Sequence, residues 1–221
     1  MTATELDGRR RRGNASRQAT LDRAVQLAST EGLEGLSIGQ LATELGASKS
    51  GVIALFGTKL DLQLATIEAA RSVFIATVIE PALRVQRGLP RLWAICELWL
   101  DYSEARVFQG GCFFRAVSAE NGSKPGPVRD TLAAIDVDWL AFIERAATSA
   151  QPDLPRLADA VQLAFETVAI MDGANTASLL HGSARYYELA RSAIRDRLIA
   201  LGADSAVLSR PAAPTAAPAT G

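Results

Sequence analysis

Residues 37 to 59 decide the fold, and they read SIGQLATELGASKSGVIALFGTK. Ser37 is a favourable N-cap, and the apolar residues that follow recur at helical spacing until Gly46, which is typical of a helix end. Ser48 then caps a second short helix whose apolar face includes Val52. Two short helices joined by a tight glycine-containing turn have the layout of a helix-turn-helix.

Helical spacing of apolar residues continues on both sides of this stretch, and no convincing run of alternating β-branched residues indicates a strand. A first helix is expected over about residues 16 to 31, and a long fourth helix is expected to run from Thr58 until Pro81 closes it. Further helices are expected at about 89 to 107, 112 to 120, 126 to 149, 155 to 181 and 183 to 201. The sequence therefore predicts an all-α protein of about nine helices.

The helix-turn-helix stands in a distinctive context. The first helix is followed by Gly-Leu-Glu-Gly-Leu-Ser-Ile, then by Leu-Ala-x-x-Leu-Gly-x-Ser-Lys-Ser-Gly, then by Phe-Gly-Thr-Lys. This combination, over about residues 16 to 62, resembles the DNA-binding head of the TetR/AcrR family of transcriptional regulators. The resemblance implies a three-helix head on a larger helical body that dimerises and binds a small effector.

With this resemblance the chain divides into four segments. They are a disordered basic arm at 1 to 14, a DNA-binding domain at 15 to 62, a regulatory and dimerisation domain at 63 to 202, and a disordered Ala/Pro tail at 203 to 221. The two ends are expected to be disordered because neither has the periodic apolar residues that a core needs.

The positive charge of the chain lies near its N-terminus. Residues 9 to 60 carry eight Lys or Arg and four Asp or Glu, whereas residues 61 to 221 carry fifteen basic and eighteen acidic residues. This asymmetry favours a polyanion-binding head on a neutral-to-acidic body, although half of the eight basic residues lie in one arginine run that could be a solvated tail.

The resemblance assigns roles within the head. It implies that Ser37 and Lys59 contact DNA phosphates at two helix N-termini, where the helix dipole assists. The residues expected at or near the major groove are Ser48, Lys49, Ser50 and Gly51. The simpler alternative is that Ser37, Ser48 and Thr58 only cap helices, which stabilises the fold by about 1 kcal/mol each.

One position departs from the family pattern. Where the exposed side of the third helix usually carries aromatic or His residues, this sequence has Ile53 and Leu55. Such side chains can pack on thymine methyl groups, or the head binds DNA weakly. Arg9, Arg10, Arg11 and Arg12 are candidates for a compensating contact with phosphates or the minor groove.

The last two long helices are expected to form the homodimer. Residues 161 to 180 are apolar on nearly all sides, and the family pairs these helices with their symmetry mates in a four-helix bundle. The next helix supplies a matching stripe of Tyr186, Leu189, Ala190, Ile194 and Leu198. Burial within one chain is the alternative for these residues.

Aromatic residues concentrate in the body, where the family holds its effector pocket. The residues considered for the pocket wall are Trp93, Trp99, Tyr102, Phe113, Phe114 and Trp139, although any one of them is ordinary core by spacing. An apolar pocket with few polar groups favours a small apolar effector. Residues 110 to 114 form a candidate hinge or pocket wall, with Cys112 as a candidate redox sensor. The fourth helix is the expected lever to the head.

Other function classes have little support. Two cysteines and one histidine cannot build a disulfide framework or an ordinary zinc site, so no metal or cofactor is expected. An enzyme would have to be built around His181, which has no nucleophile motif beside it. The absence of a signal peptide predicts a cytoplasmic protein without a membrane partner.

The alternative to a ligand-released repressor is a dimeric small-molecule-binding or interaction protein with weakened DNA binding. Activation instead of repression also stays open.

Overall fold

The computed structural model describes residues 3–209, and the regular structure within that range is helical. The helices are α1 Ala3–Glu31, α2 Ile38–Glu44, α3 Lys49–Phe56, α4 Lys59–Phe74, α5 Glu80–Arg84, α6 Leu89–Glu104, α7 Phe113–Asn121, α8 Pro127–Ser149, α9 Ala160–His181 and α10 Arg185–Ala200. A π-helical turn, Ile75–Ile79, joins α4 to α5 into one rod. With that rod counted once, the described chain has about nine helices as predicted, and the all-α class is confirmed.

Helices α1 to α3 and the start of α4 form the head. The predicted caps are present, because the side chains of Ser37, Ser48 and Thr58 each accept a hydrogen bond from a backbone N–H in the first turn of the following helix. Arg23 of α1 pairs with Glu44 of α2. These local contacts begin the two short helices at defined residues and join α2 to α1.

The rod from Lys59 to Arg84 corrects one prediction. Pro81 was expected to end the fourth helix, yet the helix continues through it to Arg84. Proline removes one helical donor and its ring crowds the preceding turn. The wider π turn directly before Pro81 relieves that crowding, so the rod passes the proline unbroken.

This rod is also the one helix in the described range that is long and apolar enough, by length and composition alone, to span a membrane. Its apolar face is used inside the protein, since Leu62, Ile67, Phe74 and Val78 are all buried in the common core. The rod is a core helix that connects head and body.

Helix α6 lies at the centre of the body, against α5, the π turn, α8, α9 and α10. A buried arginine of α10, Arg191, fixes α10 to it. Its guanidinium lies 2.6 Å from a carboxylate oxygen of Asp101 and 2.9 Å from one of Glu104, both on α6. The buried Glu97 stands 3.6 Å from the same side chain. The buried guanidinium attracts these carboxylates and thereby holds α10 against α6.

Both chain ends differ from the expected disordered segments. Helix α1 reaches back to Ala3, since residues 3 to 14 extend a helix already packed in the head and arginine is a good helix former. At the other end Leu208 is fully buried and the indole N–H of Trp93 donates to the carbonyl of Ser209 at 3.2 Å. Residues 203 to 209 therefore belong to the packed body, and 210 to 221 lie outside the described residues.

The loop between α6 and α7 holds the head against the body. On the head side, Gln26 donates to the carbonyl of Val107 at 3.0 Å, and the backbone N–H of Gly110 donates to Ser29 Oγ at 3.1 Å. On the body side, Asn175 of α9 accepts from the backbone N–H of Cys112 at 3.0 Å. One short loop thus hydrogen-bonds to α1 and to α9.

Replacement of Gly110 tests this contact. A Cβ atom at Gly110 would stand 1.8 Å from the carbonyl oxygen of Ser29, so Gly110→Ala must push loop and head apart and lower the free energy of unfolding by about 1–3 kcal/mol. The control, Gly13→Ala in α1, has nothing within 4 Å of the added atom and should raise stability by about 0.5–1 kcal/mol. Urea unfolding measures the free energy of unfolding of both variants. Equal changes in the two would contradict the close approach of Gly110 to Ser29.

Candidate functional site

The N-terminal turn of α3 is presented to solvent. Lys49, Ser50 and Gly51 are exposed, and the opposite face packs Val52 and Phe56 into the core. Ser48 Oγ accepts from the backbone N–H of Gly51 at 3.0 Å, so the cap and this exposed turn are one unit.

The two departures on α3 have different environments. Ile53 is 47% exposed, whereas Leu55 is half-buried and packs against the core. Leu55 is therefore only partly on the free face. The sequence analysis missed Ala54, which is also exposed. Ile53 and Ala54 follow Ser50 by three and four residues, so they lie on the same face of α3. Helical spacing counted from Ser50 would have found Ala54.

The basic side chains of the head are held by intramolecular contacts. Lys59 Nζ donates to the backbone carbonyl of Glu34 at 2.8 Å and lies 3.3 Å from its carboxylate. The Arg17 guanidinium lies 4.8 Å from the centre of the Phe56 ring. The exposed side chain of Lys49 extends over Gly39 at the start of α2. Arg9 to Arg12 fall within α1, and the side chains of Arg9, Arg10 and Arg12 lie outside the described residues.

A cavity of about 290 Å³ opens in the body. Its wall is formed by the rod, α6, α7, α8 and α9, and it includes two residues of the π turn, Ile75 and Ile79. Its aromatic lining consists of Phe74, Trp99, Phe114, Trp139 and Phe142. The rings contact one another, with Phe74 edge-on to Trp139 at 5.1 Å between centroids.

The cavity wall also carries six charged side chains, namely Arg71, Arg115, Arg145, Asp136, Asp138 and Asp172. Arg115 donates to Asp136 at 2.6 Å and to Asp172 at 2.9 Å. Arg71 lies 3.2 Å from Asp138. Burial raises the pKa of Asp172 to about 6, against the opposing effect of Arg115.

Helix α7 connects this cavity to the head. Phe114, Arg115 and Ser118 line the cavity, and Glu120 on the same helix reaches the turn after α1. The Glu120 carboxylate accepts from the backbone N–H of Leu33 at 2.7 Å and from that of Glu34 at 3.0 Å. Since this turn leads into α2, the position of α7 bears on that of the helix-turn-helix.

Comparison with known families supports the same conclusion as the sequence motifs. Residues 88–194 match the family described as tetracyclin repressor-like, C-terminal domain, which spans α6 to most of α10. The fold is shared with many solved structures of TetR-family regulators. The matched part of the chain belongs to the TetR family. It matches no curated protein sequence.

Three solved structures illustrate the similarity of fold. A TetR transcriptional regulator from Chloroflexus aurantiacus is 21% identical, with a TM-score of 0.76 over 87% of this chain and 94% of that one. A transcriptional regulator from Saccharomonospora viridis in complex with choline is 23% identical, with a TM-score of 0.68 over 84% and 96%. AibR in complex with isovaleryl coenzyme A and operator DNA is 20% identical, with a TM-score of 0.62 over 72% and 85%.

Among the aromatic residues considered for the pocket of this TetR-family protein, Trp99, Phe114 and Trp139 line the cavity. The other three are core. Trp93 packs towards the C-terminal segment, Tyr102 lies edge-on behind Phe74, and Phe113 is fully buried between Phe108 and Phe114. Phe74 and Phe142 were missed.

The charged wall corrects the expected apolar pocket with few polar groups. Its members come from α4, α7, α8 and α9, at positions far apart in sequence. Arg71 and Arg115 pair with carboxylates on other helices, such as Arg115 with Asp172, and no sequence pattern reveals that pairing.

The predicted dimer stripe on α10 is also corrected. Ala190, Ile194 and Leu198 are buried within the chain, because that face of α10 covers α6 and α9. Leu189, on the other side, is 50% exposed.

Helix α9 instead presents the apolar stripe. The exposed apolar side chains along its outer face are Val161, Phe165, Leu179 and Leu180. Gly173, midway between them, has open space where a Cβ would stand. This stripe was foreseen as part of residues 161 to 180, which are apolar on nearly all sides.

Residues 3–209 contain no assembled metal site. No group of three His, Cys, Asp or Glu side chains in that range is placed to hold a metal ion. His181, the one histidine of the chain, is exposed at the end of α9 and stacks on Tyr186 with ring centroids 5.3 Å apart.

The buried Cys112 lies in the cavity wall, and burial raises the pKa of its thiol to about 11. A thiol, unlike a thiolate, is a weak nucleophile. Iodoacetamide at pH 8 should therefore alkylate Cys112 about a hundredfold more slowly in the folded than in the urea-unfolded protein. Peptide mass spectrometry measures the rates, with the buried Cys96 as a second protected thiol. Fast alkylation of Cys112 alone in the folded protein would favour a redox sensor.

Proposed function

We propose that this TetR-family protein is a homodimeric repressor that binds a palindromic operator through α3 and is released by a small effector in the body cavity. The observation that carries the proposal is the single helix α7, which lines the cavity with Phe114 and Arg115 and holds the head through Glu120. Cavity and head therefore share a rigid element.

The head supports DNA contact by shape and chemistry. An exposed helix with Lys49, Ser50 and Gly51 in its first turn fits the major groove, which admits an α-helix. Ile53 and Ala54 then face the groove as small apolar groups suited to thymine methyls. For Lys59 to contact a phosphate, its ammonium must exchange the carbonyl of Glu34 for the DNA.

The exposed stripe of α9 supports a homodimer. Phe165 is 62% exposed and Leu180 is 77% exposed, and a row of such residues on one long helix favours burial by a second copy. Two heads in a symmetric dimer read two half-sites about one or more DNA turns apart.

Release by an effector follows from differential binding. A molecule that binds better to the body when the heads are in a non-operator arrangement must weaken operator binding by the same factor. The rod, the Glu120 contact and the α6–α7 loop are the connections that carry this coupling. One structural relative holds isovaleryl coenzyme A with operator DNA and another holds choline, which supports a ligand-binding body.

The second candidate function is a dimeric ligand-binding or interaction protein with weakened DNA binding. It is favoured by the apolar Ile53 on the exposed face of α3, where no hydrogen bond to a base can form. Both candidates share the body and differ only in the head.

Selection from random DNA at two salt concentrations separates them. The repressor should enrich a palindrome, and Lys49→Ala should weaken binding and reduce the slope of log affinity against log salt by about one per head. The matched control is Lys124→Ala, which removes an exposed lysine from the body and should leave both quantities unchanged. If no palindrome is enriched, the second candidate function, a ligand-binding or interaction protein with weakened DNA binding, is favoured.

Glu120→Gln tests the connection through α7. The amide can accept from only one of the two backbone N–H groups, and charge-assisted hydrogen bonds are worth about 1.5–3 kcal/mol. The variant should bind the selected operator about tenfold more weakly without any ligand, because the head loses its fixed position.

Fluorescence anisotropy of labelled operator gives the affinity of this variant, and a thermal melt monitored by circular dichroism shows that it is folded. Glu80→Gln, an exposed glutamate of α5, is the matched control. Unchanged operator affinity in a folded Glu120→Gln variant would place the coupling elsewhere.

A further inference from the structure

The charges around the cavity are distributed unevenly. Arg71 and Asp138 neutralise each other, and both are exposed enough for water to screen them. Arg145 is also exposed. Arg115 lies between two carboxylates, Asp136 and Asp172, and the side chains of Arg115 and Asp172 are less accessible, at 28% and 23% exposed. This second group, the Arg115 cluster, has one negative charge in excess when both carboxyl groups are ionised.

The geometry of the cluster discriminates between ligand charges. Both terminal nitrogens of Arg115 are already used, Nη1 by Asp172 and Nη2 by Asp136. An anionic ligand would have to displace one of these carboxylates before it could pair with the guanidinium. A cation can approach the carboxylates without breaking either bond, and it neutralises the excess charge.

The aromatic walls favour the same ligand class. Phe74, Trp99 and Phe114 border the cavity from the rod, α6 and α7, and Trp139 and Phe142 stack with ring centroids 6.0 Å apart on α8. The faces of such rings attract ammonium groups and also bind apolar surface. Aromatic faces beside an excess carboxylate form a site for a molecule that is both apolar and positively charged.

We propose that the effector is a lipophilic cation, an amine or quaternary ammonium compound whose charge lies against Asp172 and Asp136 and whose apolar part packs on Trp139 and Phe142. The inference rests on the proposed effector role of the cavity and names the chemical class that this cavity takes. Its volume of about 290 Å³ restricts the ligand to a small molecule.

The cluster also sets the pH dependence of binding. The pKa of Asp172 is raised to about 6 by burial and by Asp136, and it is lowered by Arg115. The other charged groups of the wall are Arg71, Asp138 and Arg145, and Cys112 stays a neutral thiol because burial raises its pKa to about 11. Asp172 is therefore neutral below and ionised above about pH 6. A cation should bind about tenfold more tightly at pH 7.5 than at pH 5, following the ionised fraction of that carboxyl group.

Three probes of nearly equal shape test the charge preference in the intact protein. They are benzyltrimethylammonium, its neutral carbon isostere neopentylbenzene, and the anion phenylmethanesulfonate. Binding is followed by intrinsic fluorescence, since Trp99 and Trp139 line the cavity and Trp93 is the third tryptophan of the chain. The cation should bind at least tenfold more tightly than either other probe at pH 7.5.

Variants assign the preference to the cluster. Asp172→Asn should remove both the advantage of the cation over neopentylbenzene and its pH dependence, while the neutral probe binds as before. Asp130→Asn, which removes an exposed carboxylate at the start of α8, should leave the preference intact. Should Asp172→Asn fail to fold, the probe ratios and pH profile of the wild-type protein decide the matter alone.

Equal or tighter binding of the neutral probe or the sulfonate, binding of the cation without pH dependence, or no binding of any probe would each overturn the proposal. Operator affinity measured with the same probes separates it from the proposed function. Tight cation binding that leaves operator affinity unchanged would overturn effector release and retain the ligand class. Release of the operator by the neutral probe, without preference for the cation, would overturn the ligand class and retain effector release.

Discussion

The close approach of the α6–α7 loop to α1 is the contact on which the relation of head to body depends. Gly110 lies against the backbone of Ser29 where a methyl group would not fit. The loop is held there because Gln26 donates to the carbonyl of Val107 and Ser29 Oγ accepts from the N–H of Gly110. The next residues of the loop are held by Asn175 of α9. The loop is therefore hydrogen-bonded to the head on one side and to the body on the other, and it relates the position of α1 to that of α9.

The head was predictable because its determinants are local. Serine caps, short apolar stripes and glycine stops lie within a few residues of the elements they define, so Ser37 and Ser48 could be placed from sequence alone. The distinction between Ile53 and Leu55 was not predictable in this way. It depends on the rotation of α3 about its own axis relative to its neighbours. The spacing of apolar residues does not fix that rotation in an eight-residue helix.

The cavity was only half predictable for a different reason. The aromatic content of the body indicated an apolar site. All three of Tyr102, Phe113 and Phe114 are buried, but only Phe114 borders the cavity, and sequence spacing does not distinguish them. The pairing of Arg115 with Asp136 and Asp172 joins three helices. Such long-range charge pairs leave no periodic signal, although they decide which molecules the cavity can accept.

The π turn at Ile75–Ile79 sets the rotational phase between the two halves of the rod. A regular α-helix advances by about 100° per residue, so one residue more or less in this turn would rotate the helix-turn-helix end by about that angle relative to the α5 end. Ile75 and Ile79 also line the cavity, where their side chains are aimed by that same turn. The number of residues in this turn is therefore as important as their type. A single-residue deletion would keep every helix and every type of core residue, but it would rotate the exposed face of α3 relative to the cavity.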